Sequence, residues 1–335
     1  MRLRALASMR YSIVMIALSA TDVLGLLTPA ETVGLVESAA LAAAGSSDWV
    51  VPQRQHVKWS QGTLLTMPAI GAGAMAVKLV SVVPGNAAVK APVTNGLLIL
   101  GDAGTGLPLA IMDAAALTAM RTGAVGALGL KYLTPAGVDS IGIVGAGVQG
   151  AWQAITACAV RPIRTVFALR RSAAAFERFR AMLAAHAPGV TVVACETAAE
   201  VLSRTYVIVT ATTSAEPVLP DDAAVLGGRH FIAIGSYERH MCELPDAVFR
   251  LAGHLVLDSE FARHEVGEAV RAVEHGALGD ADLFCIGELA AGRRSVDVTG
   301  TTAYKSAGMA LYDLYVAQAL YQAARRRGIG QEFAL

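Results

Sequence analysis

The residues best suited to chemistry in this chain are Gly145-Ala146-Gly147-Val148-Gln149-Gly150. Their G-x-G-x-x-G spacing sits between an apolar, β-branched run, Ser140-Ile141-Gly142-Ile143-Val144, and a helix-forming stretch that begins Ala151-Trp152-Gln153. In that setting Gly145 allows a tight turn, Gly147 lets the backbone approach a pyrophosphate, and Gly150 lets helix and strand pack together. Free N–H groups in the first helical turn would face the phosphates. A second strand over residues 163–169 follows at the right distance, so the pattern predicts a dinucleotide site and not a bare turn.

The end of that second strand selects the dinucleotide. A carboxylate there would accept hydrogen bonds from the ribose of NAD, whereas basic or small polar residues suit the additional phosphate of NADP. The chain offers Arg170-Arg171-Ser172 and no acid before Glu177. Two planar guanidinium forks and a hydroxyl match a phosphate dianion. The plain alternative is a solvated arginine pair on a loop. NADPH is the expected cofactor, with NADH as its alternative.

The elements that must position these residues follow from composition and patterning. With 335 residues the chain is long enough for two cores. Hydrophobic residues make up 54 % and charged ones 16 %, with an excess of alanine, valine and glycine that suits close-packed α/β layers or a large oligomer interface. Lys plus Arg and Asp plus Glu both number 27, so no basic field points to nucleic acid. Cys158, Cys195, Cys242 and Cys285 are far apart and form no C-x-x-C, which argues against a zinc site or a disulfide framework. Reduced thiols in a cytoplasmic protein fit that usage, and no metal site is expected. Met1-Arg2-Leu3-Arg4 ahead of the apolar run 13–18 has some features of a signal peptide, but no convincing cleavage site follows. Residues 12–18 read as a first strand after a frayed extension, and no run is long enough for a membrane span.

Thr28-Pro29-Ala30-Glu31 has the N-cap, first-turn proline and capping-box acid of a helix start, and the helix should reach about Ala44. Strands are expected over 50–54, 56–59, 62–67, 74–83, 96–102 and 108–113, an antiparallel half with one leading helix. A small-residue helix over 114–132 leads to alternating strands and helices: strands at 190–194, 207–211, 230–235 and 254–258, and a helix at 173–186. That alternation predicts a parallel sheet covered on both faces. An amphipathic helix over 307–327 should return to the first half. The expected fold is therefore α/β: a Rossmann-type domain over 121–307, and an α+β domain with mostly antiparallel strands formed by 1–120 plus 308–335.

Read together, the motifs resemble the ornithine cyclodeaminase/μ-crystallin family. They comprise Val51-Pro52-x-Arg54, Met67-Pro68-Ala69, Val77-Lys78-Leu79-Val80, Pro84-Gly85-Asn86, Thr105-Gly106-x-Pro108-x-Ala110 and Leu117-Thr118-x-x-Arg121-Thr122. They continue with Gly145-Ala146-Gly147-Val148-Gln149, Ile234-Gly235-Ser236, Glu243-Leu244, Ile286-Gly287-Glu288-Leu289, and Tyr304-Lys305-Ser306-x-Gly308 with Asp313. The resemblance implies a homodimer joined through the antiparallel half. It also implies a substrate carboxylate clamp of Arg54, Lys78 and Arg121. Three cations with little nearby acid could offset the desolvation of such an anion, and Lys78 stands in an apolar strand, a costly place for an idle charge. By pattern alone Arg54 and Arg121 would be surface and helix-face arginines. Cofactor contacts implied by the resemblance are Thr94, Arg121, Val148, Gln149, Arg170, Arg171, Thr212, Gly235, Ser236 and Ser306, added to Gly145, Gly147 and Ser172.

One loop departs from the cyclodeaminase pattern. The position of their aspartate falls on Tyr237, and that of a lysine on Met241, while Glu238 and His240 lie close by. Without that acid, a compact cyclic imine is a better substrate than ornithine. The resemblance thus points to NAD(P)H-dependent reduction of Δ1-pyrroline-2-carboxylate to L-proline, or of its six-membered homologue to L-pipecolate, and hydroxyproline breakdown would suit. Lys78 is the first candidate proton donor, eased toward deprotonation by its two cationic neighbours, and His240 the second. Rival readings are an ornithine or lysine cyclodeaminase, an alanine dehydrogenase, or an NADPH-dependent ligand carrier of μ-crystallin type.

Overall fold

The computed structural model describes residues 13–45 and 48–334. Ser12, the extension before it, and the signal-like residues Met1 to Arg4 lie outside them. The chain divides into two compact units.

The first unit contains the segment ending at Leu27, Asp48–Leu117 and Asp313–Leu335. Its strands are β1 (Val14–Leu18), β2 (Gln55–Trp59), β3 (Gly62–Gly71), β4 (Ala74–Val82), β5 (Thr94–Asp102) and β6 (Pro108–Asp113). A C-terminal strand, Gln331–Ala334, completes a seven-stranded sheet in the order C-terminal strand, β1, β6, β5, β4, β3, β2. All its pairings are antiparallel except β1 with β6. The period of two is plain in β3 and β4, where every second side chain is buried. Leu65, Met67, Ala69, Ala76, Val80, Leu98 and Leu100 form the inner face. On the other face Val57, Trp59, Val77, Leu79, Leu97 and Ile99 are exposed. The strand expected over 50–54 is reduced to a single bridge, Val50 with Ile70. Pro52 has no N–H to give a ladder, so pairing resumes only at Gln55. A further helix, Ala20–Leu26, is capped by Ser19 and Asp22.

The second unit contains the segment from Thr28 with the helix Pro29–Gly45, and Thr118–Tyr312. Its eight strands are β7 (Ser140–Val144), β8 (Thr165–Leu169), β9 (Thr191–Cys195), β10 (Val207–Thr210), β11 (His230–Ala233), β12 (Leu255–Leu257), β13 (Leu283–Cys285) and β14 (Thr302–Lys305). They run in the order β13-β12-β14-β11-β10-β7-β8-β9, and every pairing is parallel. The direction of strand order reverses at β7, the switch point where ligands collect in open α/β sheets.

The units depart from the expected division at the helix Pro29–Gly45. Thr28 and Glu31 close the expected capping box, with Thr28 N–H to Glu31 Oε2 at 2.7 Å. The helix nevertheless belongs to the second unit, because Lys131 donates to Glu37 at 2.7 Å and Gly287 lies flat against it. A Cβ on Gly287 would stand 2.3 Å from the Ala40 carbonyl oxygen, which gives the Ile286-Gly287-Glu288-Leu289 motif a packing role. The small residues of the helix Ala114–Leu133 serve the same end: a Cβ on Gly123 would fall 2.7 Å from the Trp152 carbonyl, and one on Gly129 2.4 Å from the Tyr304 ring.

Candidate functional site

In the second unit the glycine turn has the geometry that its spacing demands. Gly145 adopts φ +115°, and a Cβ there would meet the Ala211 carbonyl oxygen at 2.5 Å. Gly150 faces back on the turn, where a Cβ would lie 2.2 Å from the Gly145 oxygen. Gly147 differs: a Cβ there would meet nothing within 4 Å. It is the N-cap of the helix Val148–Val160, and among the described residues no side chain caps that N-terminus. An open glycine at an uncapped helix N-terminus leaves N–H donors and positive dipole toward whatever occupies the space. Gln149 Oε1 is buried and, among the described residues, has no hydrogen-bond partner. These residues fit a dinucleotide pyrophosphate.

Arg170, Arg171 and Ser172 are exposed at the end of β8. Arg170 is paired with Glu196, which follows β9, so there is a carboxylate that reading along the chain to Glu177 did not reveal. Ser172 is engaged as the N-cap of the helix Ala173–His186, accepting from the Ala175 N–H at 3.2 Å.

Thr212, Gly235, Ser236 and Ser306 gather at the carboxyl ends of β10, β11 and β14. A buried carboxylate ties the first two turns together. Glu243 accepts from the Thr212 N–H at 2.6 Å, its hydroxyl at 2.8 Å and the Gly235 N–H at 2.6 Å. Burial pushes its carboxyl up and Glu268 adds to that, while Lys305 and Thr212 pull it down. Ser306 donates to Asp258 Oδ2 at 2.7 Å, and the same oxygen accepts from the N–H groups of Ala307 and Gly308 at 3.0 and 2.6 Å. Gly308, at φ +77°, lies over Arg121, whose Nη1 would be 2.3 Å from a Cβ there. Arg121 is thus not a helix-face arginine in water; it is 4 % exposed, under a loop pinned by Asp258.

In the first unit Lys78 points to the inner face of β4, opposite Met67 and Leu98, and is 1 % exposed. It has an acid beside it: Asp313 Oδ2, also 1 % exposed, lies 2.7 Å from Nζ. The neighbouring carboxylate favours the ammonium form, against the ease of deprotonation expected from cationic neighbours alone. Arg54 precedes β2, and extending the ladder by one residue sets it opposite Met67, hence in Lys78's cross-strand row. Two strand spacings separate the two backbones by roughly 10 Å. Thr94 opens β5 opposite Val82.

Asp313 and Glu243 stood in the motifs without a role, and Asp258 and Glu268 were missed. The signal was present for Asp313: a lone acid in Ala310-Leu311-Tyr312-Asp313-Leu314-Tyr315-Val316-Ala317 is as costly as a lone lysine in an apolar strand. His240 is exposed and sits 3.4 Å from Glu238. His230 bonds Thr302 at 3.0 Å, a structural contact. Burial raises all four thiols, that of Cys242 to about 12, so none is a ready thiolate nucleophile.

Known proteins resemble this chain in sequence and fold. A sequence model of the ornithine cyclodeaminase/mu-crystallin family matches residues 14–328. A Δ1-pyrroline-2-carboxylate reductase of Bacillus cereus is 32 % identical over 277 residues, 81 % of this chain and 84 % of that one. The solved structure of Thermococcus litoralis Δ1-pyrroline-2-carboxylate reductase, in complex with NADH and L-proline, is 30 % identical with a TM-score of 0.88, covering 95 % and 99 % of the two chains. An archaeal alanine dehydrogenase dimer with bound NAD is 30 % identical with a TM-score of 0.86, covering 96 % and 99 %. The family match over residues 14–328 and the whole-chain fold similarity agree, and the chain belongs to the ornithine cyclodeaminase/mu-crystallin family.

Proposed function

We propose that this protein is an NAD(P)H-dependent reductase of a cyclic imino acid, converting Δ1-pyrroline-2-carboxylate to L-proline, with Δ1-piperideine-2-carboxylate to L-pipecolate as the six-membered counterpart. One observation carries the choice within the family: the loop after β11 has Tyr237 where the cyclodeaminase pattern has its aspartate. The T. litoralis reductase, which matches nearly the whole chain, supports it.

The nicotinamide, when bound, supplies the hydride to C2 of the substrate. Gly145, Gly147, Val148 and Gln149 hold the pyrophosphate; Thr94, Arg121, Thr212, Gly235, Ser236 and Ser306 complete the coenzyme contacts. Arg54, Lys78 and Arg121 bind the substrate carboxylate, Arg54 and Arg121 fixing it by charge-assisted hydrogen bonds. Lys78 Nζ, ion-paired with Asp313, holds the proton that the imine nitrogen takes up. Lys78 and Arg121 are themselves buried away from water, which leaves orientation as the protein's main contribution.

NADPH is the preferred coenzyme in this reading. Arg170, Arg171 and Ser172 support it, and Glu196 beside Arg170 keeps NADH in use. A homodimer through the exposed apolar face of the seven-stranded sheet is supported by Val77, Leu79, Leu97 and Ile99 and by the dimeric alanine dehydrogenase relative. Free cysteines at 158, 195, 242 and 285 suit a reducing, cytoplasmic setting. Among the described residues no single helix is long and apolar enough to cross a membrane.

Alanine dehydrogenase is the second reading, favoured by the archaeal relative of equal identity. Nicotinamide absorbance separates the two. Consumption of NADPH or NADH with pyrroline-2-carboxylate is expected, with little NAD reduction by alanine or by ornithine. Reversal of that order would overturn the assignment, and coenzyme binding without turnover of any of them would indicate a carrier.

A further inference from the structure

Beneath the turns after β10 and β11 lies a set of charges for which hydride transfer and carboxylate binding have no use. Glu243, Glu268, Ser236 and Lys305 are all 0 % exposed. Glu268 accepts from the Ser236 hydroxyl at 2.5 Å and from the Glu243 N–H at 2.8 Å. Lys305 Nζ stands 3.7 Å from Glu268 Oε2 and, among the described residues, has no hydrogen-bond partner. Buried charges are expensive, and a buried lysine without hydrogen bonds is more so. A core made only for stability would be apolar here.

The placement indicates what the charges do. In a doubly wound sheet the pyrophosphate lies at the turn after the first strand, and the strands to one side of the switch point serve the nicotinamide half. Those strands are β10, β11 and β14. Glu243 uses one carboxylate oxygen for Thr212 and the other for Gly235. The two turns are already so close that a Cβ on Gly235 would stand 1.9 Å from the Thr212 carbonyl oxygen. Glu268 seats Glu243 by its N–H and holds Ser236 by its hydroxyl, while Lys305 offsets one of the two carboxylate charges.

We propose that Glu243, seated by Glu268 and Lys305, is a positioning residue that sets the turns receiving the nicotinamide half of the coenzyme. This rests on the reading that the chain binds a nicotinamide dinucleotide, and not on which imino acid it reduces. Glu243→Gln isolates the effect. Its amide oxygen can still accept from Thr212, but the NH2 group would face the Gly235 N–H, donor against donor.

The test compares NADH, followed by nicotinamide fluorescence, with ADP-ribose, which lacks the nicotinamide, followed by calorimetry. In Glu243→Gln the Kd for NADH should rise about tenfold or more, the loss of one hydrogen bond to a buried charged group, while that for ADP-ribose stays within about twofold. The charge-balanced double variant Glu268→Gln/Lys305→Met should show the same split and guards against a Glu243 variant that does not fold. NADH affinity unchanged, parallel loss of both ligands, or failure of both variants to fold would make the network a structural core and overturn the proposal. A wild-type protein that binds NADH yet reduces no imino acid removes the substrate assignment and leaves this one standing.

Discussion

Lys78→Met should be one of the most destabilising single changes in the first unit. The substitution keeps side-chain length but leaves the Asp313 carboxylate, 1 % exposed, without the ammonium at 2.7 Å. Removing one partner of a buried pair costs about 3–5 kcal/mol, a factor of roughly two hundred to several thousand in the folded-to-unfolded ratio. Neither group is solvent-screened, so the full range applies. Replacing both by apolar residues of similar size is often neutral or stabilising, so Lys78→Met/Asp313→Leu should recover most of the loss. Urea unfolding followed by tryptophan emission in a Trp152→Phe background would report the first unit through Trp49 and Trp59, and the double-mutant cycle gives the coupling. The same proteins separate stability from function. With Lys78 as clamp and proton holder, the double variant regains stability and not turnover. A single variant as stable as wild type would refute the energetic reasoning, and a double variant with near-normal turnover would refute the role of Lys78.

Other parts of the molecule are open to equally direct tests. Gly147→Ala meets nothing within 4 Å among the described residues and should leave stability nearly unchanged while weakening NADH binding at least about tenfold. Gly150→Ala, 2.2 Å from the Gly145 oxygen, should instead cost about 1–3 kcal/mol in thermal or urea unfolding; the same behaviour in both variants would deny the division of labour. Glu196→Gln releases Arg170 and should raise the NADPH-to-NADH preference in kcat/KM about tenfold, whereas Arg171→Ala should lower it; no shift in either would remove this loop from coenzyme selection. Leu79→Glu, on the exposed apolar face opposite Leu97, should turn a dimer into monomers by light scattering, and an intact dimer would place the interface elsewhere. Burial lowers His230 and His254 from the ordinary value of 6.5, so the folded state holds them neutral while the unfolded chain takes up protons. The unfolding free energy should therefore be complete above about pH 6.5 and decline as the pH falls below it, less steeply in His230→Gln; an unchanged slope would exclude His230 as a source.

Local features were legible from the amino-acid order alone. The turn Gly145 to Gly150 needs only the strand before it and the helix after it. The Thr28–Glu31 capping box is closed within four residues, and the alternation of β3 and β4 is a property of each strand by itself. These patterns sufficed for the Rossmann-type sheet and the antiparallel sheet, and the ordered motifs from Val51 to Asp313 carried the resemblance to the family. Two short strands, β13 and β14, three and four residues long, were not anticipated. Every feature that joins distant segments was decided by tertiary structure. The pairing of Lys78 with Asp313, Arg170 with Glu196, Asp258 with the loop over Arg121, and Glu243 with Thr212 and Gly235 depends on which residues the sheets bring together. A charge in an apolar run signals that it must have a partner, since burial without one is prohibitively costly. Which partner it finds is settled by packing, because the interaction falls off over a few ångströms and separation along the chain says nothing about that distance.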